Sequence, residues 1–179
     1  MGRSALQRFA QDRSGIAATE FAIVAPFLIV MIFAAFSLFQ IVRASYVADK
    51  STFTISDLVS RQTQTSNAQL GQMKAVFDRL VIDIGEAPQL RVTSLIRTAA
   101  GYVVDWSYNS VPGGTLAKSD VPLADLPDIA VNDSILLTES IVSVQPFMEI
   151  LPVMTAAAMT FSYAATTRPR FVGRLVKID

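Results

Sequence analysis

Phe21 to Phe39 reads FAIVAPFLIVMIFAAFSLF, 19 residues with no charge and one hydroxyl, Ser37. A helix of that length rises about 28 Å, close to the hydrocarbon thickness of a bilayer. Core helices of globular proteins seldom run so long without a polar face, so the segment reads as a transmembrane helix. Pro26 falls in its second turn, where a kink is tolerated in a membrane. Mean hydropathy over the chain is +0.42 with 17% charged residues, against about 25% charge in an ordinary soluble domain. The apolar excess is concentrated in this one stretch.

The flanks give an orientation. Residues 1–15 carry Arg3, Arg8 and Arg13 against Asp12, whereas Arg43 and Lys50 on the other side are offset by Asp49. Positive charge beside a span favours the cytoplasmic side. The expected organisation is a basic cytoplasmic leader (1–15), a membrane-spanning helix region (16–42) and one extracytoplasmic domain (43–179), whose 137 residues suit a single domain. Charge is balanced over the chain, 15 basic against 15 acidic residues, so nothing steers it to nucleic acid. Cys and His are absent. That excludes disulfides, Cys/His zinc sites, thiol nucleophiles, lipid attachment at Cys and every Ser-His-Asp triad.

The junction between leader and span is the most informative stretch: Arg13-Ser14-Gly15-Ile16-Ala17-Ala18-Thr19-Glu20-Phe21. A carboxylate at the edge of a hydrocarbon span is costly, so Glu20 calls for a partner. A cut after Gly15 would give Ile16 a free α-ammonium and make Glu20 the fifth residue of the new chain. First and fifth residues share a helix face. The carboxylate could then neutralise its own ammonium or one on a neighbouring subunit. The simpler alternative is an interfacial Glu20 favoured by the helix dipole, with Thr19 or Ser14 as cap.

This junction resembles the class III signal of type IV pilin-like proteins: a short basic leader, Gly at −1 (Gly15), a residue at +1 (Ile16), Glu at +5 (Glu20), an aromatic at +6 (Phe21), then about 20 apolar residues. The wider stretch GIAATEFAIVAPFLIVMIF is similar to the TadE-like pilus-assembly family of tight-adherence systems, with Phe21 where Tyr is often seen. Arg168-Pro169-Arg170 resembles a short Arg-Pro-Arg run in such sequences. The resemblance implies a minor pseudopilin in the bacterial inner membrane with a periplasmic domain. The processing site would be Gly15–Ile16, with Glu20 and Phe21 serving assembly. Its implied partners are membrane lipid, a prepilin peptidase, other pilins or pseudopilins and pilus assembly proteins. The alternatives are an unprocessed signal-anchored envelope scaffold or adaptor, and secretory cleavage after Val42-Arg43-Ala44, for which the apolar run is too long.

Past the span, the helix is expected to continue from Ile41 to about Arg61, with Val42, Tyr46 and Phe53 on one face. Gln62 to Asn67 is a polar break, and Asn67 a candidate cap for a second helix whose stripe is Leu70, Met73, Phe77, Leu80 and Ile84, ended by Gly85 and Pro88. The period then changes to two. Leu90, Val92, Ser94 and Ile96 alternate with Arg91, Thr93, Leu95 and Arg97, and Tyr102, Val104, Trp106 and Tyr108 follow after a Thr98–Gly101 connection. A Pro/Gly/Asp-rich crossover runs from Pro112 to Asp133, followed by strands over Ile135–Val144 and around Met159, Phe161, Tyr163 and Ala165. Phe147 to Ala158 is ambiguous, since Pro146 and Pro152 oppose a long helix. The expected fold is α+β, an antiparallel sheet packed against the second helix and the end of the first.

Chemistry is sparse. Asp120, Asp125, Asp128, Asn132 and Asp133 could offer oxygen to Ca²⁺ but lack EF-hand spacing. Val111-Pro112-Gly113-Gly114 lacks the Lys-Ser/Thr of a phosphate loop. Arg168, Arg170, Arg174 and Lys177 read as a solvated basic tail. No pair of carboxylates at an identifiable separation anchors acid–base catalysis. The expectation is a structural protein with no cofactor or metal and no enzymatic activity.

Overall fold

The computed structural model describes residues 14–112, 126–145 and 158–179. Its first element is one unbroken helix, α1 (Ser14–Ser60), of 47 residues, roughly 70 Å long. No Gly separates Gly15 from Gly71, and the single internal proline, Pro26, does not end the helix. The expected continuation beyond the span is therefore present.

The polar break that follows contains a two-residue strand, β1 (Gln64–Thr65). It leads into α2 (Asn67–Val81). Here the cap differs from the sequence expectation by one position. Ser66, in extended conformation, accepts from Gln69 N–H at 3.2 Å. Asn67 is already helical, and its N–H donates to the Asp179 carboxylate at 2.8 and 2.9 Å. A carboxylate there also meets the positive end of the helix dipole. The stripe on α2 buries Leu70, Phe77 and Val81, while Leu80 is exposed and Ile84 lies past the helix end. Gly85 closes the turn, its N–H donating to Val81 O at 3.2 Å. A Cβ on Gly85 would sit 2.2 Å from Val142 Cγ1 and 3.0 Å from the Ser143 carbonyl, so the next strand passes too close for a side chain.

The sheet strands are β2 (Glu86–Thr98), β3 (Gly101–Asn109), β4 (Ser134–Val144) and β5 (Met159–Thr167), in spatial order β3-β2-β4-β5 and antiparallel throughout. The expected hairpin turns through Ala99-Ala100, with Gly101 at φ 131°, a backbone angle that favours glycine. The fold is α+β, as expected, with an apolar helix at the N-terminus that is a candidate membrane span.

One sheet face packs on the helices through Leu90, Val92, Trp106, Leu136, Val142 and Val144. The other gathers Leu95, Ile129, Ile135 and Leu137, flanked by Tyr102, Val104 and Leu126. Two expectations fail here. Tyr102, Val104, Trp106 and Tyr108 do not share a face, because the β2–β3 register shifts between Ser94 and Leu95. A bulge inserts one residue and reverses the side-chain alternation beyond it. On α1, Val42, Tyr46 and Phe53 point outward, and Ala44, Ala48, Thr52, Ile55 and Val59 are buried instead. Small residues let the helix approach the sheet, and α1 rather than α2 covers β4 and β5.

A C-terminal segment straps the structure together. β6 (Val176–Lys177) pairs in parallel with β1, Trp106 Nε1–H donates to Leu175 O at 2.8 Å, and Ser134 Oγ donates to Gly173 O at 2.7 Å. Several expectations lie outside the described residues: the leader charges Arg3, Arg8, Asp12 and Arg13, the loop residues Gly113, Gly114, Asp120 and Asp125, and the ambiguous stretch from Pro146 to residue 157.

Candidate functional site on the N-terminal helix

Gly15 and Ile16 lie in the first turn of α1, and Glu20 stands one turn further, on the Ile16 face. All three are exposed, as is Phe21. Thr19 is an interior helical residue whose Oγ1 donates to Ile16 O at 2.8 Å, so it does not cap the helix. Gly15 has open space around the position of a Cβ, with nothing within 4 Å. It is not among the glycines with positive φ. Neither packing nor backbone conformation of the described chain calls for glycine there.

From Phe21 to Phe39 every Phe, Ile, Leu, Val and Met side chain is exposed, Phe27 to 72%. A helix that is apolar nearly all round and so largely exposed needs an apolar solvent or a partner. Ser37, the hydroxyl of this run, is buried, and its Oγ has no hydrogen-bond partner.

Beyond Ala44 the same helix is held by hydroxyls. Ser45 Oγ meets the Tyr163 phenol, Thr52 Oγ1 meets Ser140 Oγ at 2.6 Å, and Ser56 Oγ meets Thr167 Oγ1 at 2.8 Å. Thr52 Oγ1 already donates to Ala48 O at 2.8 Å, so it accepts from Ser140. Ser94 Oγ and Thr138 Oγ1 are buried without a partner. At the lower end of this packed half, Gln40 and Ala44 share a cleft with Asp83, Ile84, Val144 and Gln145.

The C-terminal arginines are exposed, as the sequence suggested, but each has a carboxylate partner. Arg168 pairs with Asp133 at 3.2 Å, Arg170 with Asp57, and Arg174 grips both oxygens of Asp105, with Nε at 2.9 Å. That carboxylate raises the Arg174 pKa further, first by hydrogen bond and then by charge. Asp57 also receives Arg61 at 2.8 Å, and Arg170 N–H donates to Ser60 O at 2.8 Å. The Arg-Pro-Arg run thus clasps the far end of α1. Exposed pairs of this kind are worth about 0–1 kcal/mol each, so their role is to set position.

The ion pair between Arg91 and Glu139 has no signal in the sequence. These residues face each other across β2 and β4, with Arg91 Nε donating to Glu139 Oε2 at 2.6 Å. Arg91 is fully buried, Glu139 nearly so, and Arg91 Nη1 has no partner. A carboxylate engaged by a buried guanidinium acts as a strut between strands. Asp128, from the acidic crossover, pairs with Arg97 at 3.2 Å. Among the described residues no group of three or more His, Cys, Asp or Glu is placed to hold a metal ion. Between α2 and β3, burial raises the Tyr108 pKa and the nearby Asp78 charge raises it further.

Residues 15–52 match the family model of TadE-like proteins. The match runs from Gly15 through the apolar run and into the packed part of α1, and over that segment the chain is similar to TadE-like proteins. No curated protein and no solved structure matches the chain.

Proposed function

We propose that this chain is a structural component of a type IV pilus-like tight-adherence system: a minor pseudopilin inserted in the inner membrane by residues 16–42 and processed between Gly15 and Ile16 by a prepilin peptidase. The observation that carries the reading is Gly15. It lies in the first turn of the helix with open space around it, where a partner could reach the backbone. The TadE-like match beginning at that residue supports the same reading. In this scheme the basic leader stays cytoplasmic, the domain is periplasmic, and the role is assembly rather than catalysis. Glu20, five residues into the processed chain, neutralises an Ile16 ammonium, its own or a neighbouring subunit's. The exposed apolar half of α1 sits first in lipid and then against other pilin-like helices.

The test is the intact mass of the protein extracted from its native membrane. The expected mature chain begins at Ile16, and Gly15→Leu abolishes the cut without altering the thermal melting of the domain. A start at Met1 or Gly2 in most molecules marks an unprocessed anchor, and a start at Ser45 a secreted product. A reporter fused after Asp179 is active on the periplasmic side alone; cytoplasmic activity refutes the topology.

A further inference from the structure

The lower end of α2 lies beside the place where α1 leaves its apolar run. α2 begins close beyond Ser60 and runs back along α1, so its last turn and the residues after it reach Gln40 and Ala44, where Asp83 and Ile84 line the shared cleft. Gln40 directly follows Phe39, the last residue of the run. Ala44 stands only about 6 Å higher along the helix. The headgroup layer extends roughly 5–7 Å beyond the hydrocarbon on each side of a bilayer. When α1 spans a membrane, the turn after α2 is therefore at headgroup depth.

Large apolar side chains are exposed at this end. Ile82, the C-cap residue of α2, is 72% exposed, although its neighbour Val81 is fully buried. Met159, which starts β5 opposite Val144 at the same end of the sheet, is exposed as well. Among the described residues of this end, the exposed charges Arg43, Arg79, Asp83 and Glu86 cancel. Apolar side chains with a mixed, neutral rim suit an interface that is apolar on one side and wet on the other, and they lack the basic excess that anionic lipid would attract.

We propose that the underside of the domain, marked by Ile82 and Met159, rests in the headgroup layer of the bilayer that α1 crosses, fixing how the domain leans on the membrane. This rests on reading residues 16–42 as a span. The occupant is lipid rather than a second copy because α1 itself brings the patch to that depth, with no partner required.

The chain has no cysteine, so single labels are clean. Leu38→Cys, Ile82→Cys and Phe171→Cys replace exposed side chains and leave the core intact. Phe171 marks the opposite end, next to the contact of Arg170 with Ser60 at the far end of α1. Each full-length variant carries an environment-sensitive fluorophore in vesicles of phosphatidylethanolamine and phosphatidylglycerol, with nitroxide lipids and aqueous iodide as quenchers. The expected result is Leu38 quenched by deep nitroxides, Ile82 quenched by shallow nitroxides with iodide access several-fold below that of Phe171, and Phe171 quenched by iodide alone. Lipid quenching at Leu38 with free iodide access at Ile82 overturns the proposal and leaves the span intact. Iodide shielding at Ile82 without a nitroxide response marks a protein neighbour and also overturns it. Lipid quenching at Phe171 equal to that at Ile82 refutes a specific underside, and full iodide access at Leu38 removes span and proposal together.

Discussion

Between Phe21 and Phe39, α1 offers Phe, Ile, Leu, Val and Met on every side and leaves all of them exposed; between Ala44 and Ser60 it buries Ala, Ser and Thr, with Ile55 and Val59 as the larger members. The apolar half has the greater hydrophobic potential and leaves its large side chains exposed. The more polar half forms much of the core boundary. Apolar content measures what a helix needs from its surroundings, whereas side-chain size decides how closely it can be approached. The first half is built for a solvent, or a partner, that encloses it; the second is built for one sheet.

The sharpest way to break this division is at the one charge of the first half beside the apolar run. Glu20→Ala is expected to insert and be cleaved normally, since removing a charge from the membrane edge eases insertion. Association fails instead, because the Ile16 ammonium is left without its counter-charge, a loss of about 3–5 kcal/mol for a buried pair and less at a wet interface. Mass spectrometry of the cleaved chain, set against its recovery in crosslinked complexes, reads both steps. Normal complexes from cleaved Glu20→Ala refute the pairing, and loss of cleavage assigns Glu20 to peptidase recognition.

A matched pair tests the halves directly. Ile55→Ala, at a fully buried site, is expected to lower domain stability by about 2–5 kcal/mol. Ile29→Ala, in the exposed half, should stay within about 0.5 kcal/mol. Urea unfolding in detergent, followed by the fluorescence of the single Trp106, measures both. Equal effects would mean that the apolar half packs on the domain after all.

The smallest effect concerns pH. Tyr108 has its pKa raised in the folded chain, so the unfolded chain loses that proton first as pH rises. The contribution of the neutral phenol to stability is complete below its ordinary pKa of about 10 and is lost as pH climbs through the raised folded value. Between about pH 8 and about pH 11 the urea midpoint should fall more for the parent than for Tyr108→Phe. An identical decline in both removes Tyr108 from the packed unit.

What was legible in the sequence follows the range of the interaction. The apolar run, the α2 stripe around Leu70 and Phe77, the Thr98–Gly101 hairpin and the change of period at Leu90 rest on neighbours within a few residues, and all are present. The face of α1 was misread because Tyr46 and Phe53 are large and Ala44 and Ala48 small, and only the arrival of β5 more than a hundred residues later favours the small ones. The bulge that separates Val104 from Trp106 depends on strand pairing. So does the Arg91–Glu139 strut, whose members are 48 residues apart. The Gly15–Glu20 junction stands out in the sequence as a linear motif, the form in which its proposed reader, another protein, would meet it. The ties of Arg168 and Arg170 were hidden because their acids, Asp133 and Asp57, lie on distant elements.

The hydroxyl contacts of α1 also determine how the domain bears a load. From Ser45 to Ser56 they are spread over 11 residues of helix, about 17 Å along its axis. A pull on α1 along that axis strains the three contacts side by side, in shear, so they share the force. A sideways pull opens the same contacts one after another, as in peeling. The clasp of Arg170 on Asp57 and Ser60 lies at the far end, where an axial pull reaches it last. The helix is thus a stiffer tether along its own length than across it.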